Sequence, residues 1–205
     1  MAGLSDVKSV FKTAGVAADP DGISTVAAVA NNAALVINGA LASGGSVTLD
    51  AGQLVTILSS ADDSAISFTV VGTDVAGAAQ TESITGATAA ATATGASYFK
   101  TIASITAVGD PAGNVTAGVS ASSADVIFAG RARLKGAYIV NSATAGTIKF
   151  RNTSVSGDNV LEIGTVASAT VTRDVTIPNN GVLFTDGIYI TYTGATFASI
   201  TAFHA

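Results

Sequence analysis

The stretch Ser46-Val47-Thr48-Leu49 alternates polar and apolar side chains, which is the pattern of a β-strand with one buried face. Gly44 and Gly45 in front of it supply turn residues, and the alternation returns from Gln53 to Leu58. Similar runs rich in Val, Ile, Thr and Phe recur about every 10–15 residues. No helix of ordinary length fits between them, so an antiparallel sandwich or barrel is predicted. The other strands predicted in this part of the chain are Ala65 to Val71, Gln80 to Ile84, Tyr98 to Ile105 and Asn114 to Val119.

The C-terminal part repeats this pattern in short runs separated by turn sequences such as Pro178-Asn179-Asn180-Gly181. The strands predicted there are Ala132 to Asn141, Gly146 to Asn152, Asn159 to Thr165, Ser168 to Ile177, Gly181 to Phe184, Gly187 to Thr193 and Phe197 to Phe203. The side chains predicted to face inward are Leu134, Tyr138, Val140, Ile148, Phe150, Leu161, Ile163, Val175, Leu183, Ile188, Ile190 and Ile200. We expect a small sandwich or jelly roll.

These patterns predict an all-β protein with a short N-terminal arm followed by two antiparallel β-sandwich or jelly-roll-like modules. The arm is residues 1–22, the first module residues 23–130 and the second module residues 131–205. The second boundary is placed at Arg131-Ala132-Arg133-Leu134-Lys135, where the charge balance changes. Residues 1–130 carry three basic and ten acidic groups, and residues 131–205 carry six basic and four acidic ones. The alternating basic residues predict the outward side of a strand, the alternative being a contact with an acidic partner.

The arm carries a weak helical stripe formed by Leu4, Val7, Val10 and Phe11, and the turn Asp19-Pro20-Asp21-Gly22 ends it. A helix this short is not stable alone in water. We therefore expect the arm to be disordered or docked, with Phe11 as its anchor.

The segment Ala87 to Ala96 has low complexity, being made almost wholly of Ala and Thr. Alanine alone favours a helix. The interspersed Thr and the flanking Gly favour an extended edge or a loop instead.

Composition bounds the class of protein. Hydrophobic residues make up 48% of the 205, yet no apolar run approaches the roughly 18 residues of a membrane span, and no signal peptide is recognisable, so we expect a soluble chain. Charged residues are only 11%, which indicates a surface covered by partners or, alternatively, one rich in Thr, Ser and Asn. The net charge of −5 argues against nucleic-acid binding. The absence of cysteine excludes disulfides and fits a reducing compartment.

Candidates for chemistry are few. His204 is the only histidine, and its place next to the end of the sequence favours a surface or interface residue. Asp62, Asp63 and Asp74 are candidates for a calcium site, but calcium-loop spacing is missing and loop aspartates usually cap turns. Glu82 with Asp74 is an acid pair of the kind glycosidases use, although the chain has no Trp for a sugar platform. We therefore predict no catalytic, metal-binding or cofactor-binding residues, and a protein that is not an enzyme.

Two sets of segments carry a resemblance to a known class of proteins. The first set is Asp19 to Ile23, Asn38 to Asp50, Ser67 to Asp74, Thr81 to Gly86 and Tyr98 to Thr106. The second set is Leu134 to Val140, Gly146 to Phe150 and Gly181 to Thr191. In these segments the chain resembles β-rich structural proteins of tailed bacteriophage virions. The resemblance implies a small virion protein, assembled in the host cytoplasm and repeated many times on a capsid, neck or tail, with no catalytic residues to carry over.

Within the virion, the resemblance favours a head decoration (cement) protein that stabilises the phage head. Proteins of this kind resemble β-sandwich modules that cluster as trimers, often with an N-terminal arm over a neighbour. The expected partners are further copies of the chain, with a trimer favoured, and the major capsid protein or neighbouring virion proteins. Neither nucleic acid nor a membrane is expected as a partner. The alternatives are a neck, tail or baseplate component and a module that binds glycans on the host surface.

Overall fold

The computed structural model of the protein describes residues 6–205. Within this range the regular elements are β-strands, arranged in two antiparallel sheets of five and ten strands. The all-β class predicted from the two-residue periodicity is confirmed. The strands are β1 (Lys8–Thr13), β2 (Asp19–Ala28), β3 (Ala42–Ser43), β4 (Ser46–Ser59), β5 (Ser67–Thr73), β6 (Ala79–Thr85), β7 (Thr92–Val108), β8 (Asn114–Phe128), β9 (Ala132–Asn141), β10 (Thr147–Asn152), β11 (Asn159–Gly164), β12 (Thr172–Thr176), β13 (Val182–Phe184), β14 (Ile188–Thr193) and β15 (Phe197–His204).

The chain divides into two compact units. Unit 1 consists of the residues up to Ala14 together with Ala124–Ala205, and Unit 2 is Gly15–Ser123. The division predicted from the sequence, at 22/23 and at 130/131, differs from this one in two places. Strand β1 belongs to the unit built from the C-terminal part of the chain, and the second boundary falls inside β8. A strand that runs through a boundary has no Gly- or Pro-rich linker to mark it in the sequence.

Unit 2 is built from a sheet in which the neighbours run β8-β4-β7-β5-β6, with β2 on β8 and β3 on β4. The two central strands are long, 14 residues in β4 and 17 in β7, and their pairing shifts register between Thr48 and Gln53 and again between Leu54 and Thr56. Such bulges bend a strand and increase its twist, so the sheet curves around one core. The largest fully buried side chains of that core are Ile23, Ile57, Phe68, Phe99, Ile102 and Ile105.

Unit 1 contains the five-stranded sheet, in the order β1-β15-β9-β12 with β13 also on β9. It also contains β11, β10 and β14, which follow one another in the larger sheet and end on β8. The buried apolar side chains of this unit include Leu134, Ile139, Ile148, Phe150, Phe184, Ile188, Ile190, Phe197 and Ile200. Strand β9 has the bounds that the sequence predicts.

The inward set predicted for this unit is buried or half-buried except at Tyr138, and Val140, although half-buried, lies on the same outward side of β9 as Tyr138. Leu134, Ile148, Phe150, Ile163, Ile188, Ile190 and Ile200 are buried, and Val140, Leu161, Val175 and Leu183 are half-buried. Tyr138 is 40% exposed, so the prediction that it faces inward is wrong. The cause is a bulge: β15 pairs Phe203 with Gly136 and His204 with Leu134, which leaves Lys135 unpaired. One extra residue inverts the alternation, and the even positions beyond it face outward.

In the described part of the N-terminal arm, residues Lys8–Thr13 form a strand rather than a helix, which corrects the prediction made from the apolar spacing there; Leu4, the first residue of the predicted stripe, lies outside the described residues. β1 pairs antiparallel with β15, from Lys8 opposite His204 to Thr13 opposite Ser199. Phe11 is 63% exposed and is therefore not a buried anchor on its own chain. A short stripe with β-favouring Val and Phe takes the conformation that an available sheet edge offers, because packing outweighs weak local preference.

The Ala/Thr-rich segment is extended or irregular, as its composition predicts. Residues 86–91 form a loop and β7 begins at Thr92. Ala90 adopts a positive φ of 60° in this loop.

Candidate functional site

The outer surface of the five-stranded sheet carries aromatic side chains that the strand register brings together. Phe11 on β1 lies opposite Thr201 on β15, Thr201 lies opposite Tyr138 on β9, and Tyr138 lies opposite Asp174 on β12. Residues directly opposite one another in an antiparallel ladder point to the same side of the sheet. Phe11 and Tyr138 are two strands apart, which sets their backbones about 9–10 Å from each other.

The rows on either side extend this surface. One row runs Ser9, Phe203, Gly136 and Thr176, and the other runs Thr13, Ser199, Val140 and Thr172. Together the three rows form a surface that we call the aromatic face, in which Asp174 is the one charged residue. A nearly uncharged β surface with three aromatic side chains is suited to bind a partner, since Phe and Tyr dominate contact energies at interfaces.

A second feature of Unit 1 is a cavity of about 360 Å³ at the end of the same sheet. Its lining includes Asp6, Lys8, Phe128, Arg131, His204 and Ala205, and we call it the basic pocket. The rings of Phe128 and His204 pack together with centroids 4.7 Å apart. Burial lowers the pKa of His204 below its usual value, and the charge of Lys8 lowers it further.

His204 is expected from the sequence to be a surface or interface residue, and in this chain it is not on the surface. Only 4% of it is exposed, and it ends β15, where it pairs with Lys8 on one side and Leu134 on the other. The next residue is held as well, because Ala205 exchanges both backbone hydrogen bonds with Arg133. Two neighbouring strands thus prevent the fraying that a position near the end of a sequence usually predicts.

The aspartates considered for calcium do not gather. Asp62 is exposed and accepts hydrogen bonds from the Ser64 amide at 3.0 Å and the Ser64 hydroxyl at 2.7 Å, which lower its pKa. Asp74 accepts from the amides of Ala76 and Ala78 in the β5–β6 turn. Within residues 6–205, no group of three or more His, Cys, Asp or Glu side chains is placed to hold a metal ion.

Asp63 is the exception among these aspartates, because it is fully buried. Its Oδ1 accepts from the amide of Ala112 at 2.7 Å, and its backbone N–H donates to Ala87. Through its carboxylate and its backbone N–H, Asp63 therefore connects the loops that follow β4, β6 and β7. Its Oδ2 is buried without a hydrogen-bond partner.

The acid pair considered for glycoside hydrolysis serves the backbone. Glu82 accepts from the amides of Ala96, at 2.6 Å, and Ser97, and so joins β6 to the start of β7. Asp74 caps the turn described above. The two carboxylates thus bind different backbone segments, Glu82 the start of β7 and Asp74 the β5–β6 turn.

The basic stretch at residues 131–135 alternates as predicted. Ala132 and Leu134 are buried, whereas Arg131 is exposed and Arg133 and Lys135 are half-buried. Arg131 is the member that lines the basic pocket. The alternation expected of a strand is therefore confirmed, and a contact of this stretch with an acidic partner stays a prediction.

Asp125 and Gln53 are buried polar residues that the sequence does not predict. Lys12 Nζ lies 2.9 Å from Asp125 Oδ1, and the Asp125 side chain is 1% exposed. Gln53 is fully buried in Unit 2, where its Nε2 donates to the carbonyls of Val16 and Ser120. Each residue occupies a strand position where a polar side chain ordinarily predicts exposure, and no local signal distinguishes them.

Comparison with protein families and with curated sequences finds no relative of this chain. No protein-family model matches the chain, and neither does any curated protein sequence. Among the described residues, no helix is long and apolar enough to cross a membrane. The class that the fold defines is an all-β protein of two antiparallel sheets.

Proposed function

We propose that this chain is a structural protein of a tailed-bacteriophage virion, most specifically a head decoration protein that binds the capsid surface and further copies of itself. The observation that carries the proposal is the aromatic face of Unit 1. It offers Phe11, Tyr138 and Phe203 on a surface made otherwise of Ser, Thr, Gly and Val with a single carboxylate. Burial of such a face against a protein surface is favourable, because few charges have to be desolvated.

The remaining exposed apolar side chains support the same kind of function. Apart from Phe11 and Tyr138, the large apolar side chains that are exposed among the described residues are all valines. They are Val7, Val16, Val26, Val36, Val71, Val108, Val160, Val166 and Val171. On a chain with only 11% charged residues, these side chains leave neutral surface that is suited to contacts within an assembly.

The described carboxylates support a structural role through what they bind. Asp62, Asp74 and Glu82 accept hydrogen bonds from backbone amides, and Asp125 binds Lys12. These groups fix turns and strands and so contribute to a rigid scaffold. A protein that is repeated across a shell needs such rigidity more than it needs a reactive cleft.

The proposal is tested on particles. An antibody raised against the purified chain should label the heads of phage particles in immunogold electron microscopy, and gradient-purified heads should contain the chain in many copies. Restriction of the label to necks or tails would support the neck, tail or baseplate alternative. Absence of the chain from purified particles would contradict every virion role.

The aromatic face is tested directly by binding to heads that lack the chain. The double variant Phe11→Ser with Tyr138→Ser should co-sediment with such heads at least about tenfold more weakly than the unaltered protein, since aromatic anchors dominate interface energies. Val36→Ser is the matched control, because Val36 is 67% exposed and lies in Unit 2. Equal binding of the double variant and the control would exclude the aromatic face as the capsid contact.

A glycan-binding module is the second candidate function, and the same register favours it. Aromatic side chains two strands apart on one side of a sheet, with Ser, Thr and Asp174 around them, are suited to stack on sugar rings and to bind hydroxyl groups. Binding to host-surface polysaccharide in affinity electrophoresis, lost in Tyr138→Ser, would support this candidate. The migration of a decoration protein should not be retarded by the polysaccharide in the gel.

A further inference from the structure

The basic pocket holds cations that are not used by the rest of the fold. Lys12 is engaged by Asp125 and Lys149 by Glu162, at 2.9 and 3.7 Å. Among the described residues, neither Lys8 nor Arg131 takes part in an ion pair. Both line the basic pocket.

The pocket is suited to a carboxylate on the end of an apolar stem. Phe128 and His204 supply a packed aromatic wall, and Lys8 and Arg131 supply two positive charges. Asp6 is the acidic side chain in the lining, so the lining side chains carry a net positive charge when His204 is neutral. A volume of about 360 Å³ accommodates one acidic side chain with its hydration. Lys8 and Arg131 are both exposed, so they are open to an incoming carboxylate, and their attraction to it is weakened by salt.

The acidic partner is supplied by the chain itself. Unit 2 contains eight carboxylates and one lysine, a net charge of −7. Unit 1 contains eight basic and six acidic residues, a net charge of +2. Four carboxylates of Unit 2 are on exposed residues: Asp21, Asp50, Asp62 and Asp110. Two units of opposite charge attract one another between copies, and such head-to-tail contacts close into rings when the rotation permits.

We propose that the basic pocket binds an exposed carboxylate of Unit 2 from a second copy of this chain, with Lys8 and Arg131 as the binding residues. The inference deepens the proposed function, because it rests on the self-association that belongs to it and names the surfaces that meet. A carboxylate in the pocket faces Lys8, Arg131, Asp6 and His204. Protonation of His204 adds a positive charge there, so association strengthens as the pH falls through the pKa of His204.

The experiment compares self-association of charge variants by sedimentation velocity at low salt. Arg131→Glu should lower the association constant at least about tenfold, because a like charge then faces the incoming carboxylate. Arg173→Glu makes the same change of charge in Unit 1 outside the pocket and should have little effect. In combination with Arg131→Glu, changing one of the four exposed aspartates to Lys should restore association. Thermal melts of each variant confirm that it is folded.

His204 supplies a second readout, because it is the only histidine and gives a single set of ring-proton resonances. On association its pKa should rise, and in Arg131→Glu that rise should be absent. Equal association of Arg131→Glu and Arg173→Glu, or a His204 pKa that does not change with protein concentration, would overturn the inference. A chain that stays monomeric would overturn it too, whereas the labelling of phage heads tests the decoration role independently. Acetate added as a probe distinguishes a small-molecule carboxylate site: a His204 shift with acetate but not with concentration assigns the pocket to free carboxylates and contradicts the second copy as occupant.

Discussion

Lys12 and Asp125 show how a single residue fixes the N-terminal strand. Lys12 on β1 lies opposite Ile200 on β15, and its ammonium group lies 2.9 Å from Asp125 Oδ1. The Lys12 side chain is 23% exposed and the Asp125 side chain only 1%. Asp125 Oδ1 also accepts from the amide of Val126. Removal of the cation therefore takes a close counter-charge away from a buried carboxylate, which costs more than the loss of an exposed pair.

We predict that Lys12→Met lowers the free energy of unfolding by about 1–3 kcal/mol, the range for a buried group that loses its partner. Lys149→Met is the matched control. Lys149 and Glu162 are 3.7 Å apart and 44% and 48% exposed, so its loss should cost less than about 0.5 kcal/mol. Urea denaturation measures both values. Equal midpoints for the two variants would mean that Asp125 is compensated without Lys12.

His204 makes a prediction about pH. Because burial and Lys8 lower its pKa in the folded chain, the unfolded chain binds more protons once the pH drops below about 6.5. The contribution of neutral His204 is thus fully present above pH 6.5 and is lost as the pH falls from there through the lowered pKa. His204→Phe keeps a ring against Phe128 and cannot titrate. The loss of stability between pH 7.5 and 5.0 should be larger in the unaltered protein than in this variant, as measured by urea denaturation at each pH.

At the scale of elements, the two-residue periodicity of the sequence correctly predicts that the C-terminal part of the chain is a series of strands. The strand Ala132–Asn141 has the predicted bounds, and the predicted strands of the C-terminal part correspond to β9 to β15. The bulges were not predictable. Residues 46–49 and 53–58 were assigned to separate strands, and they belong to one, β4, because a register shift interrupts the alternation without ending the strand. The bulge at Lys135 likewise moved Tyr138 to the surface.

The aromatic face and the basic pocket were unpredictable for a related reason. Phe11, Thr201 and Tyr138 meet through long-range register, and no local pattern encodes which strands become neighbours. The same holds for Lys8 and Arg131, which come together only because β1 pairs with β15. The sequence does predict the ingredients, namely the basic stretch at residues 131–135 and an N-terminal segment that is either disordered or docked.

Gly72 marks a close approach of two strands and makes a prediction about β5. It lies at the register shift between β5 and β7, and a Cβ atom added there would stand 1.9 Å from the carbonyl oxygen of Thr101. The backbones would have to separate, so we predict that Gly72→Ala lowers the free energy of unfolding by about 1–3 kcal/mol, the usual cost of overpacking. Gly164→Ala is the control, since its nearest atom would be 4.0 Å away. Chemical denaturation that finds equal stability for both variants would contradict the close approach.

The pairing of β1 with β15 predicts the effect of a truncation. Removing residues 1–13 deletes β1 and exposes the edge of β15, with the loss of the Lys12–Asp125 pair. An exposed edge invites pairing with another chain. We expect a lower melting temperature and concentration-dependent aggregation, followed by calorimetry and light scattering. An unchanged melting temperature and a monomeric truncated chain would contradict this prediction.

At the scale of the whole molecule, charge and apolar surface act together. Unit 2 carries −7 and Unit 1 carries +2, while the aromatic face and the exposed valines are uncharged. Attraction between unlike units acts over distance and is screened by salt, whereas burial of apolar area is short-ranged and is not weakened by screening. Together, charge attraction speeds the encounter of two copies, and burial of apolar area stabilises the complex that forms.

This division predicts a homo-oligomer, a trimer in the arrangement we favour, whose association weakens with salt without vanishing. The Debye length falls from about 10 Å at 0.1 M to about 3 Å at 1 M, so the electrostatic share is largely removed in that interval. Burial of apolar surface persists, so the unaltered protein should still associate at 1 M salt, where Arg131→Glu should have lost most of its effect and should associate like Arg173→Glu. Light scattering across both salts and both variants measures this. A species of 20.0 kDa at micromolar concentration in 0.1 M salt would contradict self-association. Copies of the chain would then assemble only on the capsid surface.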